Sequence, residues 1–313
     1  MRALLLPAWG STPGLADVPE PEAPPGRTLV RVRAIALNPV DLAIAAGRFY
    51  LPLPEPPFVL GAEAVGEVVS SAVHPPGARV WCLAMVGSLA ELVSAPDDGV
   101  VPVPDGLSDE MAVAVGIAGL AGWMPVRDRG GLAAGETVIV LAAGGIVGQV
   151  AIQAARGLAD RIVAVARGAE GRDRALALGA DVALATGPDL AIALREACGD
   201  GADLVVDPLW GDPAIAALGV LRHNGRLVQV GNGAAPVAEL APGPMRGRRL
   251  DIRGFSVFSE EPATLAQAYS ALAEATLAGD VTLPLAVAPL DECPAAWERQ
   301  AGGTRGVKLV LRV

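Results

Sequence analysis

The stretch VIVLAAGGIVGQVAIQAARGLADRIVAVARGAEGRDRALALGAD, Val138–Asp181, decides the fold. It opens on an unbroken apolar run, turns through two adjacent glycines and continues in the helical pattern "IVGQVAIQAARGL". A second apolar run, "RIVAVAR", follows, and then a second helical segment, "GRDRALALG". Strands that are apolar throughout and alternate with helices belong to a parallel sheet covered on both faces.

The turn itself carries chemistry. Ala143, Gly144, Gly145, Ile146, Val147 and Gly148 give the spacing A-x-G-x-x-G. Gly145 lets backbone approach a pyrophosphate, and Gly148 lets the helix pack closely on the sheet. The helix N-terminus then offers free N–H groups to the phosphates. Placed between a strand and a helix, the motif reads as a dinucleotide site. The second strand ends on Arg167, where a site built for an unphosphorylated adenosine ribose would carry a carboxylate. A guanidinium grips a phosphate in bidentate fashion, so NADPH is the expected coenzyme. Arg172 and Arg174, at the start of the next helix, are placed to assist, and Glu170 weakens the positive field.

Downstream the alternation continues through "VALAT", "PDLAIALREACG", "ADLVVDPL", "DPAIAALGVL" and "GRLVQVGN" to a last strand around "LDIRGFSVF". Upstream the texture differs. "TLVRVRAIAL", "AEAVGEVVSSA" and "ARVWCLAMV" alternate as half-buried strands, and "YLPLPEPPFVLG" is a proline-broken loop. Ser108 stands as an N-cap before "DEMAVAV". After Glu260 come a helix, "PATLAQAYSALAEATLAG", and the strands "LPLAVAPL" and "VKLVLRV", which are expected to return to the N-terminal region. The expected fold is α/β. Residues 1–115 and 261–313 make a β-rich domain, and residues 116–260 make a doubly wound parallel-sheet domain.

Composition excludes other classes. Of 313 residues 52% are hydrophobic and 19% charged, enough apolar matter for a large core. A net charge of −10 speaks against nucleic acid, whose phosphates need a basic face. No membrane-length apolar run and no signal-peptide core is present, so a cytoplasmic protein is expected. Cys82, Cys198 and Cys293 lie too far apart for a disulfide or metal framework, and His74 and His223 stand alone.

Taken with "ALNPVDLAIAAGRF", "VLGAEAVGEVV", "GSLAELVSAP", "GADLVVDPLWGDPA" and "RGRRLDIRGFSVF", these segments resemble the medium-chain dehydrogenase/reductase superfamily. More narrowly they resemble its zinc-free quinone oxidoreductase (zeta-crystallin-like) branch, over essentially the whole length. The resemblance implies a GroES-like catalytic domain around a Rossmann domain, with substrate in the cleft between them. It implies a homodimer joined through the last Rossmann strand. It adds Gly231, Asn232, Phe255, Ser256, Val257 and Arg305 as cofactor contacts, and places Asn38 and Asp41 at the nicotinamide end.

Where zinc-dependent relatives carry a cysteine and a histidine, this chain has Asn38 and Ala62, so no metal is expected. Hydride delivery to a quinone or an α,β-unsaturated carbonyl depends chiefly on positioning, plus a donor to the developing oxyanion. Asn38 is the candidate amide donor. Asp41 is a second candidate, although ordering its loop or capping the next helix is the stronger reading. Tyr50 is a candidate phenolic donor, with Phe49 as the alternative counterpart, a packing role for Tyr50 equally open and water as the other proton source. Two other readings stay open. One is a reductase of a specific biosynthetic enoyl or carbonyl intermediate. The other is a non-catalytic NADPH-binding sensor or structural protein.

Overall fold

A computed structural model describes the whole chain, residues 1–313. It divides into two compact units. Unit 1 comprises Met1–Ile117, Glu260–Gly279 and Leu283–Val313, and unit 2 comprises Ala118–Ser259 and Asp280–Thr282.

Unit 1 begins with β1 (Arg2–Leu6), β2 (Gly14–Asp17), β3 (Arg27–Ala36), helix α1 (Pro39–Ala45), β4 (Phe58–Val59), β5 (Glu63–Ser70), β6 (Arg79–Leu83), β7 (Leu92–Pro96), β8 (Val100–Pro102) and α2 (Asp109–Ala114). A π-helical turn, Val115–Gly119, leads into α3 (Leu120–Arg127) of unit 2. There follow β9 (Thr137–Val140), α4 (Ile146–Ala155), β10 (Arg161–Ala166), α5 (Ala169–Ala177), β11 (Val182–Ala185), α6 (Leu190–Cys198), β12 (Ala202–Asp207), α7 (Gly211–Leu218), β13 (Leu221–Gln229), α8 (Pro242–Arg248) and β14 (Asp251–Gly254). Unit 1 is completed by α9 (Pro262–Leu277), β15 (Leu285–Pro289), α10 (Cys293–Gly302) and β16 (Lys308–Arg312).

Unit 2 is a six-stranded parallel sheet in the order β11-β10-β9-β12-β13-β14. Strands β9 and β12 are buried along almost their whole length, as their apolar sequences require. The strand order reverses between β9 and β12, and a ligand crevice forms outside the carboxyl ends of the strands at such a point. Gly148 lets α4 come down onto the preceding turn: a Cβ there would lie 2.6 Å from the Ala142 carbonyl oxygen.

Unit 1 holds a larger mixed sheet, β15-β16-β3-β5-β6-β8 with β7 also on β3, and a small sheet β2-β1-β4. The last strand pairs antiparallel with β3, which carries the chain's end back to its beginning. Asp280–Thr282, expected in the β-rich domain, belongs to unit 2. Gln153 of α4 accepts from Thr282 N (2.9 Å) and donates to its carbonyl (3.0 Å), while Arg156 donates to Asp280 O (2.8 Å). Helices α8 and α10 have little helical periodicity, being rich in proline, glycine and charge, and the sequence reading assigns them no element.

Candidate active site

In unit 2 the expected cofactor residues gather at one edge of the sheet, because every strand there runs the same way. The turn after β9 holds Ala142–Gly145, Arg167 follows β10, Gly231 and Asn232 follow β13, and Phe255–Val257 follow β14. The left-handed residue of the turn is Ala142 (φ 51), and Ala143, which follows it, is fully buried. Ala143 N donates to Val165 O at 2.9 Å, tying the turn to β10. Gly145 is the N-cap of α4, so the N–H groups of Ile146, Val147 and Gly148 lack helical partners.

The turn is also packed from the side. A Cβ on Gly144 would stand 3.1 Å from the Gly171 Cα, so the start of α5 lies directly against the turn. That contact brings the arginines of α5 close to it, beside the backbone of Arg167. Arg172 Nη1 donates to the Arg167 carbonyl (3.2 Å), and Arg174 Nη1 to the Gly144 carbonyl (3.4 Å). Arg167 is exposed, and Arg172 and Arg174 are half-buried. Open N–H groups at a helix start, a close-packed glycine turn and nearby arginines fit the pyrophosphate of a nicotinamide dinucleotide.

Asp207, at the end of β12, was not singled out from sequence. Its Oδ1 accepts from Leu209 N (2.8 Å) and Trp210 N (2.9 Å), and its carbonyl accepts from Val230 N (2.8 Å). Burial pushes its carboxyl above the usual range, against those two N–H donors. It fixes the backbone of two neighbouring loops at the sheet edge.

In unit 1 a buried polar cluster lies beneath the segment Leu37–Asp41. Asn38 and Asp41 are 1% and 0% exposed. Asp41 accepts from Asn38 N at 2.7 Å and from Ala62 N at 3.0 Å. The Asn38 amide donates to Ala36 O (3.2 Å) and to Glu63 Oε1 (2.8 Å), and its oxygen accepts from Lys308 Nζ (2.5 Å). Lys308 also donates to Leu37 O at 2.9 Å. Glu63 Oε2 takes two more donors, Trp81 Nε1 (2.8 Å) and Ile117 N (2.7 Å). Trp81 stacks on Tyr269, whose hydroxyl donates to Ala112 O.

The electrostatics follow from the burial. Desolvation pushes the Asp41 carboxyl up to about 7, opposed by the Asn38 and Ala62 amides and by Lys308. It raises the Glu63 carboxyl too, against Lys308 and three N–H donors. It lowers the Lys308 ammonium, which Glu63 and Asp41 hold up.

These contacts bear on Asn38, the expected amide donor. Both of its amide hydrogens are used inside the protein, on Ala36 O and Glu63 Oε1. Asp41 likewise spends both oxygens on backbone and orders its loop. Tyr50 lies apart from the cluster on the loop after α1, 63% exposed, its ring 4.7 Å from that of Phe49. Arg305 is exposed in unit 1, in left-handed backbone (φ 52) before β16.

Glu63 and Lys308 went unnoticed in the sequence, yet each left a signal. Glu63 interrupts the apolar "GAEAVG", and Lys308 is the single lysine of a chain with 23 arginines. No group of three or more His, Cys, Asp or Glu side chains is arranged to hold a metal ion.

Comparison with known proteins agrees with this architecture. Residues 24–105 match the alcohol dehydrogenase GroES-like domain, and residues 147–274 match the zinc-binding dehydrogenase domain. Mouse quinone oxidoreductase is 30% identical over 83% of this chain and 81% of its own. A spectinabilin polyketide synthase system protein, NorB, of Streptomyces orinoci is 32% identical over 97% of this chain, which spans only 14% of that protein. The solved quinone oxidoreductase of Thermus thermophilus, also determined with NADPH, superposes with a TM-score of 0.80 at 33% identity over all of both chains. The chain belongs to the medium-chain dehydrogenase/reductase superfamily of oxidoreductases. Within it, this is a quinone oxidoreductase-like member, and its fold suits a nicotinamide cofactor.

Proposed function

We propose that this chain is an NADPH-dependent oxidoreductase that passes hydride to a quinone or an α,β-unsaturated carbonyl without a metal. The observation that carries the reading is the close-packed glycine turn, with Arg172 and Arg174 of α5 beside it and Arg167 at the end of the neighbouring strand β10. Arg167 grips the phosphate on the adenosine ribose, and the N-terminus of α4 takes the pyrophosphate. When bound, the coenzyme supplies hydride from its nicotinamide ring. The chain's own work is then to hold an acceptor in register and to receive charge and a proton. Leu37–Asp41, which by resemblance borders the acceptor, is held rigid by Asp41 and the Asn38 amide. Tyr50 is the proposed phenolic donor to the acceptor oxygen.

Independence from zinc is supported by the donor set. Asn38 and Ala62 occupy the ligand positions, and the neighbouring carboxylates are taken up by amide donors. The outer edge of β14, paired on one side only, supports a homodimer joined edge to edge. Three free, buried cysteines accord with a reducing, cytoplasmic setting. No helix is long and apolar enough to cross a membrane. The near-full-length match to a polyketide synthase protein favours, as a second reading, an enoyl intermediate as the acceptor.

The test is direct. Affinities for NADPH and NADH are measured by coenzyme fluorescence, and quinone, enone and enoyl-thioester panels are followed by loss of reduced-coenzyme absorbance. Tighter NADPH binding with turnover that survives a zinc chelator is expected. Binding without turnover of any acceptor would identify a sensor instead, and chelator-sensitive turnover would restore a metal.

A further inference from the structure

We propose that Lys308 and Glu63 are positioning residues for the acceptor site, two buried, oppositely charged groups that grip the Asn38 side chain from its two ends and so fix Leu37–Asp41. The inference rests on the reductase reading above and adds two residues to it. The amide of Asn38 is gripped at both ends, by Lys308 Nζ on its oxygen and Glu63 Oε1 on its nitrogen. Lys308 holds the Leu37 carbonyl as well, so one ammonium fixes two consecutive residues of the segment. Glu63 extends the clamp to Ile117 N, at the last residue of unit 1 before the chain passes into unit 2.

Two observations argue that this is more than packing. Burying charge is costly, and apolar residues of the same shape serve stability as well or better, so the pair is not explained by stability. The second is composition. The chain carries 23 arginines and one lysine, and that lysine is 3% exposed. Arginine fills every other cationic position. Here a compact ammonium fits where a planar five-donor fork would not, with its two acceptors at 2.5 and 2.9 Å.

The pair is tested with Lys308→Met and with the double variant Glu63→Gln/Lys308→Met, which removes both charges and keeps both shapes. Each is assayed on an acceptor that the wild type reduces, with kcat expressed per folded molecule. We expect kcat to fall about tenfold or more in both, with the dissociation constant for NADPH within about twofold of wild type, because the side chains of Lys308 and Glu63 bond only to Leu37, Asn38, Trp81 and Ile117 and to none of the proposed coenzyme contacts. The double variant is expected to lose no more than the worse single change, since the two residues act as one unit.

A readout free of turnover comes from composition again. Labelling with 15N-lysine gives a single side-chain signal, which should be a slowly exchanging ammonium at neutral pH that shifts in Glu63→Gln. Unchanged kcat per folded molecule in the variants, or a Lys308 signal exchanging as fast as in free lysine, overturns the proposal while the reductase reading stands. A wild type that binds NADPH and reduces nothing overturns the reductase reading, and the positioning role falls with it.

Discussion

The buried carboxyl of Asp41 predicts an unusual dependence of stability on pH. Its ordinary value is 3.8, and burial carries it to about 7 in the folded protein. Glu63 of β5 adds to that rise. Lys308 of β16 and the amides of Asn38 and Ala62 oppose it, and Cys293 of α10 feels the Asp41 charge in turn. The folded state therefore keeps a proton that the unfolded chain has already released above about pH 4. More protons bound in the folded state means that stability falls as pH rises, from about pH 4 to about pH 7, and then levels off. The full shift corresponds to about 4 kcal/mol, of which about 2.5 kcal/mol falls between pH 5 and pH 8. Asp41→Asn removes the titration at a cost independent of pH. Its amide nitrogen faces one of the two backbone donors, a loss of about 1–3 kcal/mol. The assay is urea unfolding at a series of pH values, followed by hydrogen exchange of the peptide covering Pro39–Ala45, which reports on unit 1 alone. Wild-type stability minus that of Asp41→Asn should fall by about 2.5 kcal/mol from pH 5 to pH 8. A difference constant across that range would show that Asp41 is ionised throughout, and the burial argument would fail.

Three further outcomes follow from single positions. Arg167→Asp should weaken NADPH by about ten- to a hundredfold while leaving NADH unchanged or tighter, since it removes a charge-assisted grip and adds a repelling carboxylate. Equal losses for both coenzymes in a fluorescence titration would count against the phosphate assignment. Ala142→Gly should stabilise unit 2 by about 0.5–1 kcal/mol, because the left-handed conformation of Ala142 costs more than the added freedom of the unfolded glycine. A drop in the urea midpoint would refute that. Gly116→Ala should destabilise unit 1 by about 3 kcal/mol or more. Its Cβ would lie 2.0 Å from Glu63 Oε2 and 2.4 Å from Trp81 Nε1, in a core with no slack. An alanine variant as stable as wild type would mean that the clamp is looser than these distances say.

The two halves of the site differed in how much the sequence disclosed, and the reason is range of contact. The cofactor half is built from strand ends of one parallel sheet, so a residue's place in the βαβ pattern already fixes the edge where it emerges. Arg167 could be placed at that edge from order alone, and Gly231 and Phe255, which the resemblance supplied, follow strands of the same sheet. The polar cluster obeys no such rule. Its members come from α1, β5, β6, the π-helical turn and the last strand, and Lys308 is 270 residues from the Asn38 oxygen that it holds. Periodicity marks Glu63 and Lys308 only as charges inside apolar strands, which is as much as a one-dimensional pattern can say about a three-dimensional hydrogen bond. What the pattern could have weighed is rarity. In a chain whose other cations are all arginine, the lone lysine at an inward-facing strand position implies a demand for a small ammonium. A buried ammonium in turn requires a carboxylate close by. Glu63, the inward-facing acid on the strand beside β3, was the residue to look for.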